Sequence, residues 1–384
     1  MTTLLLLALP CAYALLVWRL GSALAQPWTR RAPRDSGDLG EGVSVIVPAR
    51  NEELLLEATL SSLAAQTLPR ARWELLVVDD GSRDGTAAVA NRALGGLRAA
   101  GVEGRLLATT PARCGKKAAI DLAIGQSRHE WVAVLDADSR PAPGWLEALL
   151  EAARPRTGLL AGPVLFEGQG FFPRLARLEY AGLLGAGLAS FALGRALFAS
   201  GANLCYRRAA YHEAGGYAGL EHVASADDTL LIQRLRLRTS WRLEALLDPR
   251  ALVLTRAPCS LREFWRQRVR WTSTERHLPD RGAQAAALGL YGVFLLTALA
   301  LPAAALGWIS PALAAALVLL KALPDFRLVR HAAARLGTGD LALFPLAWAG
   351  QLAYGLLAPW AGTFGHVRWR PAAGSPAPSS GGPA

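Results

Sequence analysis

Two acidic pairs stand at the ends of short apolar runs in this chain of 384 residues. Asp136-Ala137-Asp138 follows Trp131 to Leu135 (WVAVL), and Asp79-Asp80 follows Leu75 to Val78. Residues two apart in an extended segment point to the same side, so Asp136 and Asp138 can share a hard divalent cation. Such an ion prefers oxygen ligands and leaves its other positions to water or phosphate. Lys116 follows Gly115 where a helix is expected to begin; there its ammonium and the free N–H groups of the first turn could meet a pyrophosphate. Taken singly, each feature has a plainer reading: an acidic triplet in a turn, a capping pair, a solvated lysine. Their combination is what carries information.

The elements around them read as alternating strands and helices. Val43 to Val47 (VSVIV) is a β-branched run closed by Pro48, and Glu52 to Ala65 has helical spacing in Leu55, Leu56, Leu60 and Leu63. After the second run, Asp84 can cap a helix starting near Gly85. A third strand is expected around Arg105 to Ala108, then a helix from Lys116 to Ile124, then the strand at Trp131. Apolar strands each followed by a helix predict an α/β domain whose mostly parallel sheet is covered on both faces. Ligands of such sheets sit beyond the carboxyl ends of the strands, where both acidic pairs fall.

Seven segments then occur in a telling order: VSVIVPARNEE (43 to 53), LLVVDDGSRDGT (75 to 86), GKKAAID (115 to 121), WVAVLDADSRPAPGWL (131 to 146), SGANLCYRRAAYHEAGGY (200 to 217), SADDTLLIQRL (225 to 235) and QRVRW (267 to 271). In these segments the chain resembles the glycosyltransferase family 2 enzymes, in the membrane-embedded branch of cellulose synthase, hyaluronan synthase and ceramide glucosyltransferases. The resemblance covers about residues 43 to 271. It implies a GT-A fold, a Rossmann-like α/β domain that binds a nucleotide sugar. It further implies that Pro48, Arg50 and Glu52 border the nucleotide, that Asp79 and Asp80 hold uracil and ribose, and that Lys116 lies near the phosphates. Asp136 and Asp138 match the family's DxD, which engages the donor and a Mg²⁺ or Mn²⁺ on its diphosphate, making that group a competent leaving group.

An acceptor-side half follows from the same resemblance. The general base would be Asp228 or Asp227, since the commoner Glu-Asp spelling is here Ala226-Asp227-Asp228. Asp228 is preferred because Leu231 and Leu235 follow it at helical spacing. Gln267, Arg270 and Trp271 match QxxRW; their spacing puts them on one helical face, where an arginine can grip a diphosphate and a tryptophan can stack on a sugar. Out of this context RQRVRW would be a basic helix beside a membrane.

Composition locates the rest. The chain is 52% hydrophobic and 18% charged, against roughly 25% charged for soluble domains, and the apolar excess sits at the ends. Residues 1–25 are expected to form one membrane-spanning helix; it is read as retained because the basic cluster, Arg30, Arg31 and Arg34, follows the apolar run rather than preceding it. Ala283 to Leu320 has no charged side chain, with a turn signal at Gly307 to Pro311, and Leu341 to Thr363 is again apolar. About three spans are therefore expected within 283–363, with a polar, basic connection from Lys321 to Asp340. A catalytic domain over 40–280 and a disordered tail over 371–384 complete the division. Arginines beside the spans place the catalytic domain in the cytoplasm, the N-terminus and tail outside, and the protein in an inner or plasma membrane. Phe171 to Phe198, apolar but charge-broken, is expected either at the membrane surface or packed beneath the domain.

The net charge of +11 would also suit a nucleic-acid binder, but its arginines cluster beside the spans and its acids converge at strand ends, where they would repel phosphate without a metal. Cys11, Cys114, Cys205 and Cys259 lie far apart and suggest neither zinc nor disulfides. The expectation is a membrane-bound inverting transferase moving a sugar, UDP-linked, to a lipid or lipid-linked acceptor. A short-frame polysaccharide synthase acting on a growing glycan is the alternative.

Overall fold

A computed structural model describes residues 2–26, 42–221, 223, 225–273 and 280–364. The arginine cluster at 30, 31 and 34 and the tail over 371–384 lie outside the described residues. Helix α1 (Thr2–Ala25) leads into an alternating series: β1 (Val43–Ala49), α2 (Leu56–Ala64), β2 (Trp73–Asp79), α3 (Thr86–Ala99), β3 (Glu103–Ala108), α4 (Lys116–Gln126) and β4 (Trp131–Val134). β1, β2 and β4 are buried along nearly all their length, which is why they read as unbroken apolar runs. Next come β5 (Ser139–Pro141), α5 (Trp145–Ala152), β6 (Thr157–Ala161), β7 (Val164–Glu167), α6 (Phe171–Ala192), β8 (Leu204–Arg207), α7 (Arg208–Glu213), α8 (Asp227–Arg238), β9 (Arg242–Ala245) and β10 (Val253–Arg256).

Seven strands form one sheet in the order β3-β2-β1-β4-β8-β6-β9. β1 to β4 are parallel, and β8 runs antiparallel to both neighbours. β5, β10 and β7 make a small second sheet beside it. The strand order reverses between β1 and β4, the position at which open α/β sheets bind ligands. The α/β class read from the sequence is present. The segment Glu52 to Leu55, expected to be helical, is instead a turn tied to the next loop: Glu52 N–H donates to Thr86 Oγ1 at 2.8 Å.

After β10 the chain is helical: α9 (Leu261–Thr272), α10 (Arg281–Ala305), α11 (Pro311–Leu336) and α12 (Phe344–Phe364). Among the described residues, three segments are long and apolar enough to cross a membrane: Leu6–Ala25, Arg281–Ala305 and Leu341–Gly362. The connection expected from Lys321 to Asp340 is helical up to Leu336, as the second half of α11. Its charges pair internally and against α1. Lys321 Nζ lies 2.7 Å from Asp325 Oδ2 one turn on, Arg327 Nη1 donates to the Trp18 carbonyl at 2.9 Å, and Arg335 Nε caps α1 at the Leu24 carbonyl at 3.0 Å. With Tyr13 donating to Asp325, these contacts run in step along both helices, so α1 and α11 lie side by side and parallel.

α6 sits between the sheet and these helices, packed beneath the domain rather than apart from it. On one side Tyr180 stacks on Phe166 of β7 at 4.1 Å. On the other, glycines allow close approach: a Cβ on Gly182 would fall 2.7 Å from Val329, and one on Gly185 2.6 Å from Ala332.

Candidate active site

The loops beyond the carboxyl ends of β1, β2 and β4 converge. Asp80, only 3% exposed, accepts from Thr109 Oγ1 at 2.8 Å and from Gly115 N–H at 2.7 Å, so it ties the ends of β2 and β3 to the start of α4. Arg50 reaches it from β1, with Nη1 3.4 Å from Asp80 Oδ2. Asp79 caps its own turn, accepting from Ser82 N–H at 3.0 Å. Asn51, in the left-handed region at φ 54°, donates its N–H to Ser82 Oγ and accepts from Arg83 N–H at 2.9 Å, lacing the first two loops together. Pro48 lies within β1 and Glu52 in the turn after it.

Lys116, at the first position of α4, joins the two halves of the chain. Its Nζ lies 2.7 Å from Asp136 Oδ1 at the end of β4 and 3.0 Å from Asp227 Oδ2 at the start of α8. Burial works against its charge, but Asp136 and Asp227 outweigh this and hold the ammonium well above its ordinary pKa. Asp228 is fixed by two backbone donors, Gly201 N–H at 2.9 Å and Thr229 N–H at 2.6 Å. Burial and then the neighbouring Asp227 charge push its carboxyl up to about 6. For Asp227 burial pushes the same way, yet Lys116 and Lys117 overcome it and hold that carboxyl below its ordinary value. Two adjacent carboxylates are thus separated in character: one neutralised by lysine, the other near neutrality and free of a lysine contact within ion-pair distance. The αL conformation of Ala226, φ 56°, turns the chain into α8 just before them.

Asp138 lies in the turn after β4, two residues beyond Asp136, and accepts from Ser139 Oγ at 3.4 Å. Among the described residues no group of three or more His, Cys, Asp or Glu could hold a metal. Carboxylate oxygens such as those of Asp136 and Asp138 are of the kind that suits Mg²⁺ or Mn²⁺, which take few protein oxygens and fill the remaining positions with phosphate and water. Arg270 Nη1 lies 3.3 Å from Ser225 Oγ, just before the aspartate pair. Gln267 is turned toward Arg268, accepting from its Nη1 at 2.8 Å, and Trp271 lies 5.9 Å from Tyr180, ring to ring.

Several residues that hold this cluster were not singled out by the sequence reading. Lys117, buried, donates to the carbonyls of Val223 and Ser225 and so secures the segment leading to the aspartates. Gly201 is closely surrounded: a Cβ there would be 3.2 Å from Asp227 Oδ2, 3.3 Å from Asp228 Oδ2 and 3.3 Å from Lys116 Nζ, so a side chain would press on the cluster itself. Arg268, a spacer in the motif, is 1% exposed; it pairs with Glu179 and lies over the rings of Phe264, Trp271 and Tyr354 at 4.2, 4.3 and 5.4 Å. The Gly201 signal was its place beside Ser200 in the SGANL segment; the long-range partners of Lys117 and Arg268 have none.

Comparison with known proteins places this geometry. The description of glycosyl transferase family 2 matches residues 44–215, and that of glycosyl transferase family group 2 matches residues 131–363. Among curated proteins, an N-acetylglucosaminyltransferase of Rhizobium meliloti is 32% identical over 240 residues, covering 60% of this chain and 54% of its own. A poly-beta-1,6-N-acetyl-D-glucosamine synthase of Staphylococcus epidermidis is 27% identical over 241 residues, with the same shares. The glycosyltransferase AglE of Haloferax volcanii is 34% identical over 105 residues, 27% of this chain and 33% of that one. The chain thus spans about half the length, or less, of these relatives. Among solved structures, the mannosyltransferase PcManGT of Pyrobaculum calidifontis, in complex with GDP-Man and Mn²⁺, superposes with a TM-score of 0.56 at 21% identity, over 94% of this chain and 98% of that one. That likeness speaks for the fold.

Proposed function

Because the chain belongs to glycosyl transferase family 2, we propose that it is a membrane-bound inverting glycosyltransferase that moves a sugar from a nucleotide sugar to a hydroxyl of a lipid or lipid-linked acceptor. The observation that carries this reading is the junction at Lys116, which brings the DxD acid Asp136 and the aspartate pair on α8 within one ion-paired cluster. Asp228 serves as the base: it takes the acceptor hydroxyl's proton as that oxygen bonds to the anomeric carbon and the bond from that carbon to the diphosphate breaks. A carboxyl raised to about 6 is ionised at neutral pH yet basic enough to accept a proton, whereas Asp227 is already committed to Lys116. Lys116 also faces the donor phosphates, Arg270 and Gln267 meet the diphosphate, and Trp271 supports a sugar ring. Pro48, Arg50, Glu52, Asp79 and Asp80 line the nucleotide. Asp136 and Asp138 would hold Mg²⁺ or Mn²⁺, whose charge on the diphosphate eases departure of the leaving group.

The donor is proposed to be UDP-linked, and the names of two relatives make N-acetylglucosamine the first sugar to test. A lipid-borne acceptor is favoured by α6, which carries Tyr180 beside Trp271 and packs on α1 and α11. The synthase among the relatives favours a second reading, short-frame polysaccharide synthesis. The arginine-rich segments beside the apolar helices support a domain on the cytoplasmic face.

The test is release of nucleoside diphosphate by purified protein given a panel of UDP-sugars with Mg²⁺ or Mn²⁺, with and without membrane lipid extract. The expected result is metal-dependent turnover that Asp228→Asn lowers by about 10² to 10⁴ while donor binding persists. Near-normal turnover in Asp228→Asn with a dead Asp227→Asn would reassign the base, and no turnover with any donor would sink the reading. A single glycosylated lipid separates a one-step transferase from the product ladder of a synthase.

A further inference from the structure

Length and hydropathy make α12 a candidate to cross the membrane, like α1 and α10. Its contacts describe a different placement. At its start, Phe344 and Ala347 pack with Leu178 of α6 and Ala333 near the end of α11. At its middle, the Tyr354 hydroxyl donates to Glu179 of α6, and the Tyr354 ring meets Phe264 of α9 edge to face at 5.6 Å. At its end, a Cβ on Gly362 would lie 3.0 Å from the Val269 carbonyl and from the Ser273 backbone, both at the end of α9. The two helices therefore run side by side in the same direction, Phe264 beside Tyr354 and Ser273 beside Gly362. A 21-residue helix is about 30 Å long. Had it crossed the bilayer, it would have left the α/β domain after a turn or two; instead both of its ends touch that domain.

The opposite side of α12 defines its depth. Trp348 Nε1 donates to Asp325 Oδ2 at 2.9 Å, Gln351 Oε1 accepts from Lys321 Nζ at 3.2 Å, and a Cβ on Gly355 would run into the Phe294 ring. These partners are near the middle of α11 and α10. The cluster at the far ends of those helices, Ala300, Ala314 and Leu317 with Leu7 of α1, includes no residue of α12 among the described ones. The remaining face of α12 is an exposed stripe at helical spacing, Leu346, Ala353, Leu357 and Trp360, without a charged group. An exposed apolar stripe on a helix packed against α10, itself apolar enough to span a bilayer, fits the acyl boundary of a bilayer, not water.

We propose that α12 lies along the membrane surface on the side of the α/β domain, its Leu346 to Trp360 stripe seated in lipid, and that the chain crosses the bilayer through α1, α10 and α11. Their directions agree with three crossings, since α1 and α11 are parallel and α10 connects back between them. The sequence after α12 supports this independently. Arg368 and Arg370 follow it closely, and a spanning α12 would put both on the opposite side from every other arginine-rich segment, against the positive-inside rule. With α12 in the plane of the membrane, all arginine-rich segments share one side.

The orientation is read with a membrane-impermeant maleimide on sealed vesicles of both orientations. The full-length chain with Cys11→Ala and Cys259→Ser keeps the exposed Cys114 as a marker of the α/β domain, Cys205 being buried. A second version with Cys114→Ser carries Ser379→Cys in the tail instead. The expected result is that both thiols label from the same side of the membrane. Labelling of the tail thiol from the side opposite to Cys114 would establish a spanning α12 and overturn the proposal. This readout needs no donor or acceptor, so it stands or falls apart from the proposed activity.

Discussion

Asp228 owes its raised carboxyl to being buried beside a carboxylate that already has a lysine partner. Activity that depends on its ionised form should fall about tenfold per pH unit below 6 and level off above it, as measured by donor turnover at saturating donor across pH 4.5 to 8. A profile flat through pH 6 would assign the proton to another group. Sequence spacing favoured Asp228 over Asp227 through Leu231 and Leu235 but offered no electrostatic reason for the choice. The different surroundings of the two carboxylates come from Lys116, more than a hundred positions away, and from the Gly201 N–H. That Asp79-Asp80 and Asp136 lie at strand ends was legible because the unbroken apolar runs announce those strands. That Asp80 fastens Gly115 to the sheet was not, because it depends on a partner 35 positions away.

At the scale of elements, α9 is held to α6 and α12 by a buried ion pair between Arg268 and Glu179, boxed by three aromatic rings. Removing one partner leaves a charge without a counterion in a dry site, so Glu179→Ala should lower stability by about 3 to 5 kcal/mol. The paired change Glu179→Leu with Arg268→Met should recover most of that, because well-packed apolar groups often replace a buried pair at little cost. Thermal melting in detergent compares the three; a Glu179→Ala protein as stable as the parent would show that the pair carries nothing. From sequence, Arg268 reads as one more cation on a basic helix, since periodicity records which face a residue takes and not what covers that face. The second half of α11 was hidden for a related reason. Its charges break the hydropathy of a span, but Lys321 is fully buried against Asp325, and the arginines find carbonyls of α1. The strands and helices from β1 to β4, whose signals are local, were legible to within a few residues, whereas the short strands β5 to β10 gave no apolar run long enough to announce them.

For the whole molecule, the excess of arginine and of apolar residues separates into two jobs: apolar ends that meet lipid, and basic segments that border them. The α/β class and the order of elements from β1 to β4 could be read from sequence because each of β1, β2 and β3 is followed by its own helix. How the apolar ends pack could not, because it depends on contacts between residues some three hundred positions apart, such as Tyr13 with Asp325. α6 belongs to both parts. It contributes Tyr180 to the wall beside Trp271, and its glycines meet Val329 and Ala332. Any attempt to obtain the enzymatic half as a water-soluble fragment, residues 42 to 273, would therefore strip the cover from Leu178, Gly182, Gly185 and Ala189 and leave an oily trench. Without detergent such a fragment should sediment as aggregate, whereas the full chain in detergent elutes as a discrete species. The chain has no seam at which enzyme and anchor come apart.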